Sequence, residues 1–129
     1  WNTGTGRGGS EQRPERPQLT GPSTLLLAWD PATNREAWRA PSAGGNGGTL
    51  STGGNLTFWG TGSNLVALDA RSGEQVWSFE VGRGTATPIT YSIDGRQYIT
   101  IAAGMGAQNL PPRIWTFSVE ESVRSLNGN

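Results

Sequence analysis

A chain of 129 residues with 33% hydrophobic side chains, 20 glycines and 8 prolines has the size of one domain or less, and its composition suits short strands joined by tight turns rather than long helices. Ten basic and ten acidic side chains cancel, which removes the electrostatic argument for nucleic acid or an anionic membrane as a partner. The absence of cysteine and histidine excludes from this chain disulfides, thiolate zinc sites, the haem attachment motif and every histidine-based triad.

Residues 1–22, WNTGTGRGGSEQRPERPQLTGP, carry no apolar periodicity and are rich in Gly, Pro, Arg and Glu, which predicts an irregular arm or long loop. Gly4, Gly6 and Gly9 spell G-x-G-x-x-G. No strand precedes them and no helical pattern follows, so the geometry that cradles a phosphate lacks both supports.

From Ser23 onward, apolar runs alternate with turn signals, which predicts strands near 24–29, 36–40, 48–52, 56–60, 64–69, 75–81, 87–93, 96–102 and 113–119. Between Gln75 and Val81 the alternation places Trp77, Phe79 and Val81 on one face and Val76, Ser78 and Glu80 on the other. Asp94-Gly95 is the strongest hairpin signal, because a type I′ turn needs positive φ at both central positions. Gly53-Gly54 and Gly62-Ser63 are read as neighbouring turns. The longest apolar run, about five residues, falls far short of the ~20 that cross a bilayer, so no membrane span is expected.

One phrase occurs twice. LLAWDPATNREAW (Leu26 to Trp38) and LVALDARSGEQVW (Leu65 to Trp77) repeat alanine, aspartate and tryptophan at an offset of 39 residues, in the pairs Ala28 and Ala67, Asp30 and Asp69, Trp38 and Trp77. Four short strands fall within that period, the signature of a propeller blade of about 40 residues. A blade cannot bury its own apolar faces, so a flat tryptophan suits the space between two such sheets. Asp30 and Asp69, at turns, are read as caps for backbone donors rather than as general bases, with Asn34 and Gly73 supplying left-handed residues; Asp94 is read in the same way as a hairpin residue.

The pattern A-x-D-x-x-[TS]-G-x-x-x-W resembles the tryptophan-docking motif of the quinoprotein dehydrogenases. Ala67, Asp69, Ser72, Gly73 and Trp77 match it in full, and Ala28, Asp30, Thr33 and Trp38 match with Asn34 in the glycine place. GGTLSTGGNLTFWGT and the run from Asn64 to Gly106, with its PITYSIDGRQYITIAAG strands, look like the C-terminal blades of PQQ-dependent alcohol dehydrogenases of the methanol/ethanol type; the likeness covers about residues 24–119. It implies an all-β fold of antiparallel four-stranded blades from an eight-bladed propeller, of which this chain is a partial, roughly two-blade fragment. The expected division is an arm over 1–22, outer strands of an incomplete blade over 23–40, a complete blade over 41–82, and a last blade with a C-terminal tail over 83–129. Leu126 falls where a third tryptophan would stand.

The resemblance also implies a periplasmic enzyme that oxidises a primary or similar small alcohol, with PQQ held beside calcium as hydride acceptor. The family's stacking tryptophan, vicinal cysteines, calcium-binding carboxylate and catalytic aspartate belong to earlier blades, so no catalytic or metal-binding residue is expected here. Trp38 and Trp77 are structural docking residues on this reading, and Trp59 and Trp115 packing residues. The stretch expected near the cofactor is Ser42 to Leu50. In it Asn46 takes the place of the family's tryptophan before Gly47-Gly48; its amide suits a hydrogen bond to a quinone oxygen, and plain turn chemistry is the other role open to it. The sequon at Asn55 is read as accidental. The chain alone is expected to bind no cofactor and to be inactive, its blade faces being covered by the remaining blades or by self-association. The alternative is a non-catalytic propeller of PQQ-like repeats serving as an interaction scaffold; a WD-repeat module shares the period but lacks the histidine of its signature.

Overall fold

The computed structural model describes residues 24–44, 47–104 and 111–118. The arm, Asn46 and Leu126 lie outside them. The described residues form nine antiparallel strands and no helix: β1 (Leu25–Asp30), β2 (Arg35–Pro41), β3 (Gly47–Ser51), β4 (Leu56–Thr61), β5 (Asn64–Asp69), β6 (Gln75–Glu80), β7 (Ile89–Ile93), β8 (Arg96–Ala103) and β9 (Arg113–Ser118). They make three sheets in strict chain order, β1-β2, then β3-β4-β5-β6, then β7-β8-β9. Consecutive strands therefore pair by short connections, as a blade requires.

Turn chemistry sets the registers. Asp94 and Gly95 take φ of 51° and 77° and leave Ile93 opposite Arg96, the I′ geometry expected of Asp-Gly. Gly62, with φ 60°, closes the two-residue link that sets Thr61 opposite Asn64. Gly53 and Gly54 form the turn after β3, as expected. Its left-handed residue is Asn55 (φ 63°), not Gly53 or Gly54; Asn is among the few non-glycine residues that visit this region.

The four-stranded sheet lies between the other two, and its central strands are buried on both faces. Phe58, Leu65 and Ala67 point one way and join Val81, Ile99, Ile101 and Ala103 in the larger core. Trp59, Val66 and Leu68 point the other way and meet Ala40, with Leu26 and Trp38 packed alongside. The strand period of two thus sends alternate apolar side chains to opposite neighbours. At the edge of the larger core, against which Trp115 and Phe117 pack, Phe79 meets these two rings edge to face at centroid distances of 5.3 and 5.1 Å, a geometry favoured by ring quadrupoles.

Candidate functional site

The repeated phrase folds the same way twice. Ala28 stands opposite Trp38 in β1-β2, Ala67 stands opposite Trp77 in β5-β6, and a bulge follows each alanine. A small residue across from each tryptophan leaves room for the indole on that face, and the bulge turns the following residue into the corner. Asn34 (φ 54°) and Gly73 (φ 74°) hold the left-handed place in the two corners.

Each corner is organised by its aspartate. Asp30 accepts hydrogen bonds from the Ala32 backbone N–H at 2.9 Å and the Thr33 hydroxyl at 2.7 Å. Asp69 Oδ1 accepts from the backbone N–H groups of Arg71 and Ser72 at 2.8 and 2.9 Å and from the Ser72 hydroxyl at 3.2 Å. Its Oδ2 accepts from the Asn55 amide at 2.9 Å. Asn55, which sequence reasoning set aside as an accidental sequon, therefore ties the turn after β3 to the corner after β5. A positive-φ Asn beside a repeat aspartate was the available signal.

These donors depress both carboxyls below the ordinary aspartate range, Asp30 chiefly through the Thr33 hydroxyl and Asp69 chiefly through the backbone N–H of Ser72 and then Arg71. A depressed folded-state value means that each carboxylate contributes fully above its ordinary value of 3.8 and loses that contribution as pH falls through the lower folded value. Stability is accordingly expected to decline on acidification below pH ~4, and Asp69→Asn to flatten that decline in urea midpoints measured from pH 2 to 7. An unchanged acid limb in the variant would remove Asp69 from this role. Both oxygens of each aspartate are taken up by donors of the turns, the work of a cap rather than of a general base.

The first corner's tryptophan rests on the second corner. Trp38 Nε1 donates to the Ala70 carbonyl, 32 residues downstream, at 3.0 Å. Its ring covers Gly73, where a Cβ would stand 2.6 Å from Trp38 Cε3. Trp77 occupies the matching position one sheet on. It stacks on Phe79, meets the edge of Phe117 at 5.3 Å and borders an apolar groove of about 400 Å³ with Leu56, Phe58 and Ile99. It remains 38% exposed; the corner that would follow β9 lies outside the described residues. Trp59 is buried between the first two sheets, and Trp115 donates its indole N–H to the Val81 carbonyl at 2.9 Å. Glu36 of the first copy pairs with Arg39 on the surface, which lowers its carboxyl below the usual range and adds little in open solvent.

The stretch expected near a cofactor enters β3. Thr61, buried at 5% exposure, holds its start: its hydroxyl bonds Ser42 Oγ at 2.9 Å and accepts from the Ala43 backbone N–H at 3.1 Å. The Gly62 backbone N–H donates to the Gly44 carbonyl. Asn46 lies outside the described residues. Gly47 is buried, and the space in front of it and of Gly48 is filled by Thr85 and Thr87. That side of the two glycines is closed to any side chain. Among the described residues, no group of three or more acidic, cysteine or histidine side chains stands ready for a metal. The described residues around β3 therefore supply no ready calcium ligand set, and the closed side of the two glycines is not where PQQ would lie.

Comparison with known proteins places this architecture. Residues 28–99 match the family model of the PQQ glucose/ethanol/alcohol dehydrogenase β-propeller domain. The chain is 40% identical over 117 residues to a 1-butanol dehydrogenase (cytochrome c) of Thauera butanivorans, covering 81% of this chain and 17% of the relative. It is 42% identical to a quinohemoprotein alcohol dehydrogenase of Comamonas testosteroni, covering 95% of this chain and 19% of the relative. The crystal structure of quinohemoprotein alcohol dehydrogenase from Comamonas testosteroni superposes with a TM-score of 0.67 at 39% identity, over 73% of this chain and 16% of that one. The chain thus spans less than a fifth of the length of these relatives. With antiparallel sheets in propeller order and a family match that runs through both capped corners, the chain belongs to the PQQ glucose/ethanol/alcohol dehydrogenase β-propeller family.

Proposed function

We propose that this chain is part of a PQQ-dependent alcohol dehydrogenase that oxidises a primary or similar small alcohol with PQQ as hydride acceptor, and that this part serves as propeller scaffold. The observation that carries the reading is the family match over residues 28–99, supported by relatives named as alcohol dehydrogenases at about 40% identity. The scaffold role rests on what the repeated residues touch. Ala28, Asp30 and Trp38 shape one corner, whose indole docks on Ala70 and Gly73 of the next; Ala67, Asp69, Gly73 and Trp77 repeat the arrangement. A cofactor such as PQQ brings the redox chemistry, while the protein supplies binding and orientation; here the described residues contribute spacing between sheets.

The test is reconstitution. The full-length protein, freed of cofactor and given PQQ with calcium, is expected to reduce an artificial electron-accepting dye only when a primary alcohol is added. PQQ binding without alcohol-dependent turnover would overturn the alcohol reading, and failure to bind PQQ would overturn the enzyme reading. The 129-residue chain alone is expected to show no binding; saturable quenching of its tryptophan fluorescence by micromolar PQQ with calcium would overturn the scaffold assignment.

A further inference from the structure

Three glycines on two paired strands meet two threonines of the segment that leads into the third sheet. Gly47 and Gly60 stand opposite each other in β3-β4. A Cβ on Gly60 would lie 2.7 Å from Thr85 Oγ1, 2.8 Å from Thr85 Cβ and 3.3 Å from the Ala86 carbonyl oxygen. A Cβ on Gly47 would overlap the same Thr85 hydroxyl and approach the Thr85 carbonyl oxygen at 2.9 Å. Gly48 is closed off in the same manner by Thr87, whose Cβ would be 2.9 Å away.

The segment is extended here, since the Ala86 backbone N–H donates to the Ala102 carbonyl of β8 at 2.9 Å. Thr85 and Thr87, two residues apart, therefore present their side chains to the same side. Packed sheets ordinarily stand about 10 Å apart with side chains between them, whereas Thr85 and Thr87 approach Gly47, Gly48 and Gly60 more closely than any side chain at those glycines would allow. Glycine on one strand and a short branched side chain on the other satisfy the closer approach without a void.

We propose that Gly47, Gly48 and Gly60 form a track that seats Thr85 and Thr87 and fixes the spacing of successive sheets at their inner edge. The paired glycines that open β3 are thereby committed to sheet packing and not to a quinone, a second statement that rests on the PQQ-dehydrogenase reading. Gly48 carries an additional constraint, its φ of 56°, so Gly60 is the cleaner probe of the track.

The experiment uses the full-length protein in wild-type, Gly60→Ala, Thr85→Gly and doubly substituted forms, with Thr87→Ser as a milder variant. Melting temperature is measured without cofactor, and PQQ affinity by fluorescence quenching. Gly60→Ala is expected to lower the melting temperature, and Thr85→Gly in the same molecule to recover at least half of that loss, because it removes the clashing Oγ1 and Cβ. Additive losses in the double variant would overturn the track. PQQ affinity is expected to be unchanged in Thr87→Ser, and a tenfold weakening with an unchanged melting temperature would overturn the exclusion of the quinone. A wild-type protein that binds no PQQ fails the enzyme reading instead, while the melting comparison still decides the track.

Discussion

Replacement of Gly73 by alanine is expected to destabilise the 129-residue chain by about 2–5 kcal/mol, from about 1–2 for a Cβ in the left-handed region and about 1–3 for overpacking. The two contributions have separate origins. Gly73 holds φ 74°, and its N–H closes the corner on the Asp69 carbonyl at 2.9 Å, so the backbone has no freedom to relax. The new methyl would also stand 2.6 and 2.7 Å from Cε3 and Cδ2 of Trp38, and the indole cannot yield without losing its bond to Ala70. In a Trp38→Ala background the overpacking contribution is expected to vanish and the backbone one to remain. Urea midpoints of the four proteins at one fixed concentration give the coupling between them. A penalty for Gly73→Ala that is the same with and without the indole would mean that Trp38 is not seated on this corner.

Leu65→Ala is expected to cost about 2–5 kcal/mol, the range for removing a leucine from a core that cannot collapse around the cavity. Leu65 is fully buried at 0% exposure, stands between Gly60 and Phe79 on its neighbouring strands, and shares a core with Ile99 and Ile101 of the next sheet. Its neighbours belong to two sheets fixed by their own ladders, so neither side moves in readily. Ile114, 76% exposed on β9, supplies the contrast: Ile114→Ala is expected to change stability by less than about 0.5 kcal/mol. Equal effects of the two substitutions, read from urea unfolding, would mean that the second and third sheets do not share a core in solution.

The strands were legible because their cause is local. Period-two alternation, Asp94-Gly95 and Gly62-Ser63 predict hairpins from neighbouring residues alone, and the strands and registers follow. The repeat at an offset of 39 residues predicts the corner around Asp69 for the same reason, since its donors, Arg71 and Ser72, lie within three positions of the carboxylate. Asn55 was less legible. Its partner Asp69 is 14 residues away, and the adjacent Gly53-Gly54 pair was the stronger turn signal by composition.

What the sequence by itself determined is the all-β class, the position of the strands, the duplicated corner and the exclusion of cysteine and histidine chemistry. All of these depend on residue type and on spacing along the chain. Tertiary structure alone decided what each outward-facing group meets. It set Trp38 on Ala70 and Gly73, Trp115 on the carbonyl of Val81, and Thr85 in the space before Gly47 and Gly60. Those pairings join separate sheets, and the angle and distance at which sheets stack are set by the sum of their side-chain volumes rather than by any local pattern. For that reason the spacing along the chain gives no sign that Gly47 and Gly48 face Thr85 and Thr87 of the segment leading into the next sheet.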